Sequence, residues 1–131
     1  MSGAASPSVL VVDDDRNTRD LICSVLADKG YVTAAVCNGK EALSYLRSSA
    51  RHPRLILLDL MMPEMTGWEF RKAQKEDPAI SEIPVAIITG LDKMEGQGRD
   101  LGAVDVLTKP SRVEALLSLV SRFCEQPSPR K

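Results

Sequence analysis

The stretch Val9-Leu10-Val11-Val12-Asp13-Asp14-Asp15, taken together with Leu55-Ile56-Leu57-Leu58-Asp59, decides how this chain folds. Each half is a short apolar run that stops abruptly at carboxylates, the pattern of a strand buried on both faces. Strands of that kind belong to parallel sheets. Lying side by side, these two would bring Asp13, Asp14 and Asp59 to one sheet edge. Two unit charges about 4 Å apart repel by roughly 4 kcal/mol at an effective dielectric near 20. Three carboxylates gathered in one place therefore need a cation or raised pKa values. An all-oxygen site favours a hard ion such as Mg²⁺.

Working outward, Pro84-Val85-Ala86-Ile87-Ile88 ends in Thr89, and Val104-Asp105-Val106-Leu107-Thr108 ends in Lys109-Pro110. Tyr31 to Val36 reads as a further strand. Helical patterns separate the strands. Leu21, Ile22, Val25 and Leu26 form a stripe that Gly30 terminates. Asn38 caps the next helix, with Glu41 three residues on as in a capping box and Ala42, Leu43 and Leu46 facing inward. Thr66-Gly67-Trp68-Glu69 opens a third helix, with Phe70 and Ala73 inward and a stop before Asp77-Pro78. A helix over 92–101 is short or frayed, because Gly96 and Gly98 each cost roughly 1 kcal/mol relative to Ala. The last helix presents Val113, Leu116, Leu117, Val120 and Phe123 as one stripe. The class is α/β: a five-stranded parallel sheet with helices on both faces. Right-handed crossovers give it the flavodoxin-like order 2-1-3-4-5, with the site at the carboxyl ends of the strands.

At 131 residues the chain makes one domain, placed at 9–125. Residues 1–8 and 126–131, poor in core residues, read as disordered tails. No room remains for a DNA-binding or enzymatic output domain, so the domain stands alone or is part of something larger. A formal net charge of −1 provides no field for nucleic acid or an anionic membrane. Cys23, Cys37 and Cys124 lack metal-ligand spacing, and their odd number without a signal peptide reads as free thiols in a reducing cytoplasm. No apolar stretch approaches the ~20 residues needed to cross a bilayer.

Four motifs, in order and with fitting spacers from about residue 9 to residue 124, carry a resemblance: VVDDD (Val11–Asp15), LLDLMMPEMTGWE (Leu57–Glu69), IITG (Ile87–Gly90) and LTKP (Leu107–Pro110). Together they resemble the CheY-like receiver domain of bacterial two-component response regulators. The resemblance implies that Asp59 accepts a phosphoryl group from a phosphohistidine of a sensor kinase or histidine phosphotransfer protein. It implies Mg²⁺ held directly by Asp14, through water by Asp13, and by Asp59 and the backbone carbonyl of Met61. Thr89 and Lys109 would bind the phosphoryl oxygens, and the Lys109–Pro110 bond would be cis. Such a chain is a signalling phosphoacceptor that catalyses its own phosphorylation and dephosphorylation, not a metabolic enzyme. Its downstream protein target would dock on the face made by the 92–101 helix, the fifth strand and the last helix. No direct nucleic-acid contact and no membrane insertion are expected.

Other readings fit fewer residues. A Mg²⁺-dependent phosphatase with an Asp nucleophile needs a second Asp two residues later, and that position is Met61. Flavin binding would rest on the fold alone, which does not imply function. A receiver fold that docks partners constitutively is supported by Val106 but opposed by the acid cluster, Thr89 and Lys109. Asp15 reads as a solvated loop residue, His52 as an isolated loop histidine, Trp68 as packing or surface cover, and Met61, Met62 and Met65 as gap fillers.

Three departures from the family pattern bear on output. Val106 stands where a Tyr or Phe usually swings with the Thr89 hydroxyl, Ser111 where Phe is common, and Gly96 and Gly98 loosen the 92–101 helix. Met61 and Leu91 place apolar side chains near positions that influence hydrolytic water in the family. The expectation is intact phosphorylation chemistry with an output that works through altered order of the 92–101 helix instead of an aromatic switch. Hydrogen exchange across 92–101, with and without a phosphoryl mimic, tests this: protection should change, and unchanged protection refutes it.

Overall fold

The computed structural model describes residues 7–49, 51–62, 64–90, 101–109 and 113–124. The described elements are β1 (Val9–Val12), α1 (Arg16–Asp28), β2 (Thr33–Val36), α2 (Gly39–Ser48), β3 (Leu55–Leu58), α3 (Gly67–Lys75), β4 (Val85–Thr89), β5 (Asp105–Thr108) and α4 (Val113–Phe123). Residues 91–100, which hold all but Leu101 of the helix expected over 92–101, lie outside the described residues. So do Pro110, Ser111, and the chain ends at 1–6 and 125–131.

The strands form one parallel sheet in the order β2-β1-β3-β4-β5, as the alternation of strand and helix patterns predicts. β1 lies between β2 and β3, with Val12 opposite both Val36 and Leu58. β1 and β3 are buried along their whole length. Successive side chains of a strand point to opposite faces, so the sheet divides the core in two. Leu10, Val12, Ile56, Leu58 and Ile87 meet Leu43 and Leu46 of α2 and Phe70 of α3 on one face. Val9, Val11, Leu55, Leu57 and Ile88 meet Ile22 and Leu26 of α1 and Leu116, Leu119 and Val120 of α4 on the other. Ser8, assigned from the sequence to the N-terminal tail, donates its N–H to Val32 O at 2.8 Å and accepts from Arg54 N at 2.8 Å.

Several details differ from the sequence expectation. On α1, Ile22 and Leu26 occupy the buried face, while Leu21 is 65% exposed, because a stripe of i and i+4 positions leaves i−1 at its margin. Leu119 of α4, which the expected stripe omitted, is buried, while Val113 is exposed. Asn38 Oδ1 accepts from Glu41 N at 2.9 Å as expected, but Glu41 Oε1 reaches past the cap to accept from Cys37 N at 3.0 Å. The complete capping box is on α3. There Thr66 Oγ1 accepts from Glu69 N at 3.2 Å, and Glu69 Oε1 accepts from Thr66 N at 2.8 Å.

α3 also buries two polar residues that its sequence did not mark as inward. Gln74 Nε2 donates to Ile80 O at 2.9 Å and Ile83 O at 3.0 Å, tying the helix to the turn that follows. Arg71 Nη1 donates to Gln74 Oε1 at 2.7 Å, and its Nε donates to Leu101 O at 2.9 Å. Buried polar groups are tolerated when hydrogen-bonded in this way.

The loop between β3 and α3 holds Glu64 at φ 65°, a left-handed conformation that a β-carbon disfavours by roughly 1–2 kcal/mol. Glycine removes that cost but carries more unfolded-state entropy. Glu64→Gly should therefore raise unfolding free energy by about 0.5–1 kcal/mol, whereas Glu64→Ala, which keeps a β-carbon, should leave it near wild type. Urea denaturation of the three proteins measures this; a Glu64→Gly protein no more stable than Glu64→Ala contradicts it.

Candidate functional site

The apolar runs end together at the carboxyl edge of the sheet, and the backbone places the acids there. Asp13 N donates to Val36 O at 3.2 Å, and Asp59 N donates to Val12 O at 2.9 Å. The sheet's hydrogen bonding thus runs one residue beyond β1 and β3. Asp13 and Asp59 are consequently buried, at 2% and 5% exposure, while Asp14 on the next residue turns outward into solvent. Carboxylate oxygens of Asp13, Asp14 and Asp59 all lie within 4.8 Å of one another. Among the described residues this is the one such acidic grouping. Asp15 stays apart from it as the N-cap residue of α1, its carboxylate accepting from the Thr18 hydroxyl at 2.5 Å.

Each buried acid has specific partners. Asp13 Oδ1 accepts from Asp15 N at 2.9 Å, and its backbone carbonyl accepts from Arg19 Nη1 at 2.9 Å. Asp59 Oδ1 accepts from Met61 N at 3.4 Å, a long bond. Lys109 Nζ lies 2.7 Å from Asp13 Oδ2 and 3.5 Å from Asp59 Oδ2. The sequence reading paired Lys109 with Asp59; the lysine spans both acids and sits nearer Asp13. Arg19 was missed altogether. Its only signal is a cation within the first turn of the helix that follows an acid cluster, and arginines at such positions are common on helix surfaces.

The electrostatics follow the geometry. Burial first, then the neighbouring Asp13 carboxylate, pushes Asp59 up from 3.8 to about 6, although Lys109 and the Met61 N–H pull the other way. Burial pulls the Lys109 ammonium down, but hydrogen bonding to Asp13 and the charges of Asp59 and Asp13 outweigh it and hold it above its ordinary value. Among the described residues, Lys109 is the one cation paired with any of these three carboxylates, while Arg19 holds only the Asp13 backbone carbonyl.

Thr89 ends β4, and its carbonyl accepts from Lys109 N at 2.7 Å. Its side chain is 1% exposed, and its hydroxyl has no hydrogen-bond partner among the described residues. Among the described residues, a β-carbon added to Gly90 would meet nothing within 4 Å. Gly67, at the first turn of α3, is there because of close approach: a β-carbon would lie 2.7 Å from Asp59 O and from Leu60 Cα. Met61 is 52% exposed beside the acids. Val106 is half-buried in the α2–α3 face of the core and contributes no polar group. Beside the site, a cleft of about 330 Å³ opens between α1 and α4, lined by Leu21, Val25, Ile88 and Val113 and bounded by Lys109.

Oxygen donors from two buried carboxylates, one of them the raised Asp59, and one solvent-facing carboxylate suit a hard divalent cation such as Mg²⁺. The described residues include no helix long and apolar enough to cross a membrane, and the cysteines Cys23, Cys37 and Cys124 are free.

Comparison with known proteins agrees with this arrangement. A family model described as the response regulator receiver domain matches residues 9–121. A two-component response regulator of Oryza sativa subsp. indica, ORR11, is 38% identical over 124 residues, covering 93% of this chain and 84% of the relative. An uncharacterized 14.6 kDa protein of Leptolyngbya boryana is 37% identical over 126 residues, with 95% of each chain covered. The chemotaxis protein CheY4 of Vibrio cholerae superposes with a TM-score of 0.79 at 31% identity, covering 92% of this chain and 100% of that one. Fold, acid cluster and sequence match together show that this chain belongs to the response regulator receiver domain family.

Proposed function

We propose that the protein is a phosphorylation-dependent signalling receiver in which Asp59 accepts a phosphoryl group from a phosphohistidine of a sensor kinase or histidine phosphotransfer protein. The observation that carries this reading is the convergence of Asp13, Asp14 and Asp59 within 4.8 Å, with Lys109 bonded across the two buried members. In the transfer, an Asp59 carboxylate oxygen forms the new O–P bond as the N–P bond of the donor breaks. The bonding electrons leave with the imidazole, which ends protonated in the partner. Asp59 is held at the end of β3 beside Lys109, which would fix the position of the nucleophile.

Mg²⁺ would be held by Asp14, Asp59 and the Met61 carbonyl, with Asp13 acting through water. Asp13 already spends one oxygen on the Asp15 N–H and the other on Lys109, whereas Asp14 faces solvent. The cation supplies neutralising charge for the phosphoryl oxygens. Lys109 would shift its contact from Asp59 to those oxygens, and the Thr89 hydroxyl, without a partner among the described residues, would donate to them. The chain would catalyse its own phosphorylation and its own dephosphorylation, and turn over no metabolic substrate. It would act in the cytoplasm, signalling to a protein target through the side of the domain that carries β5 and α4.

Incubation with acetyl phosphate and Mg²⁺, followed by intact mass measurement, tests the acceptor. One phosphoryl adduct is expected, lost with a chelator and absent from Asp59→Asn. If wild type forms no adduct even with a histidine-phosphorylated donor protein and rapid sampling, the chain is a constitutive docking module, which Val106 would suit.

The raised Asp59 value makes a second prediction for the metal-free protein. Below pH 3.8 the folded and unfolded chains are both protonated at Asp59. Between there and about 6 the folded chain keeps a proton that the unfolded chain has shed, so stability falls with rising pH until Asp59 ionises in the fold as well. At about 1.4 kcal/mol per pKa unit, this loss is of the order of 2 kcal/mol from pH 4 to 7. In chelator, Asp59→Asn should therefore gain on wild type by that amount as pH rises from 4 to 7. Urea unfolding at several pH values measures it, and parallel pH profiles contradict it.

A further inference from the structure

The buried face of α3 touches two places that no strand connects directly. Gly67, Phe70, Arg71 and Gln74 form that face, at helical spacing along one side. At its first turn, Gly67 leaves no room for even a methyl group against Asp59 O and Leu60 Cα, and Gly67 N donates to Leu60 O at 2.9 Å. One turn on, Arg71 grips the chain just before β5 through its bond to Leu101 O at 2.9 Å and a longer one to Gly102 O at 3.4 Å. Arg71 is 8% exposed, and no carboxylate among the described residues pairs with it. Its fork is committed to carbonyl oxygens and to Gln74, which is itself fixed to Ile80 and Ile83.

A buried guanidinium held by backbone carbonyls makes a poor slip plane. If α3 moves, Leu101 and Gly102 must follow or the carbonyls lose a charged donor. The capping box and Phe70, fully buried against the sheet, make the helix a stiff element between its two contacts. Across β4 and β5, Thr89 lies opposite Thr108, while Val106 lies two residues back, opposite Ile87, and its short side chain has few rotamers and no polar reach.

We propose that α3 is the member that couples Asp59 to the approach to β5, with Arg71 as the positioning residue at the receiving end. This rests on Asp59 being the phosphoryl acceptor. A change in the Asp59 backbone or in its loop presses on Gly67, shifts the helix as a unit, and moves the Leu101–Gly102 carbonyls through the guanidinium. Charge alone does not suffice for this role; the planar fork is needed to hold Leu101, Gly102 and Gln74 together.

The test uses backbone amide NMR shifts of the full chain on adding beryllofluoride with Mg²⁺, a non-covalent phosphoryl mimic. In wild type, amides near Asp59 and those of Leu101, Gly102 and Val104 should both respond. In Arg71→Gln, the mimic should bind within about twofold of wild type and the Asp59–Met61 response should persist, while the Leu101–Val104 response falls by more than half. Arg71→Lys, which keeps the cation and stem but loses the fork, should show the same separation and serves if the glutamine variant does not fold. Lys72→Gln, on the exposed side of the same helix, should behave as wild type. A merely structural role for Arg71 would alter the free spectrum without changing the mimic-dependent difference. Full Leu101–Val104 responses in both Arg71 variants overturn the coupling and leave the acceptor reading intact. No response near Asp59 in wild type overturns both.

Discussion

The mutual repulsion of three carboxylates at the ends of β1 and β3, restrained by one lysine, is the constraint around which this domain is built. Two of the acids sit where the sheet's own hydrogen bonds hold them, so they cannot relax away from each other without breaking strand pairing. The two core layers above and below the sheet supply the cohesion that keeps those strands in place. Burial then turns proximity into a raised Asp59 value and a tightly held Lys109. A surface cluster of the same composition would be screened and would do neither.

Most of this was legible in the sequence, for identifiable reasons. Four-residue apolar runs ending in acids leave few options for β1 and β3, and the order of strands follows from handedness once helices intervene. Asp13, Asp14, Asp59, Thr89 and Lys109 each lie at a strand end or just beyond, so strand boundaries alone bring them to one edge. What could not be read depended on tertiary reach. Lys109 settles nearer Asp13 than Asp59 because a long flexible stem is positioned by the finished pocket, not by spacing. Arg71 and Gln74 look like surface residues in the sequence, since charged and amide side chains on a helix usually face water. Their burial is decided by backbone carbonyls: Leu101, thirty residues on, for Arg71, and Ile80 and Ile83 in the turn after α3 for Gln74.

Val106 and Arg71 belong to one picture. At the half-buried edge strand β5, a valine fills core volume where a hydroxylated or aromatic ring could have moved between two environments. On the neighbouring helix, an arginine is locked into a single one. The side of the domain that faces β5 is thus joined to the acid edge by packing that is stiff along α3, while along β4–β5 the Val106 side chain adds only apolar volume. A receiver organised this way would move its output surface as a block instead of by a single side-chain rotation.

The separation of Lys109 from its acids along the chain has a consequence for biosynthesis. Asp13 and Asp14 leave the ribosome before Asp59, and Asp59 leaves fifty residues before Lys109. β1, one of three strands paired on both sides, must also wait for β3 before its second edge is covered. A nascent chain that docked β1 against β3 early would hold two buried acids close together without Lys109, the cation that bonds both carboxylates, and with only Arg19 on the Asp13 backbone carbonyl. Ionised acids oppose that premature docking until β5 and Lys109 have emerged. The same repulsion would act as a brake on early docking of β1 against β3 during synthesis.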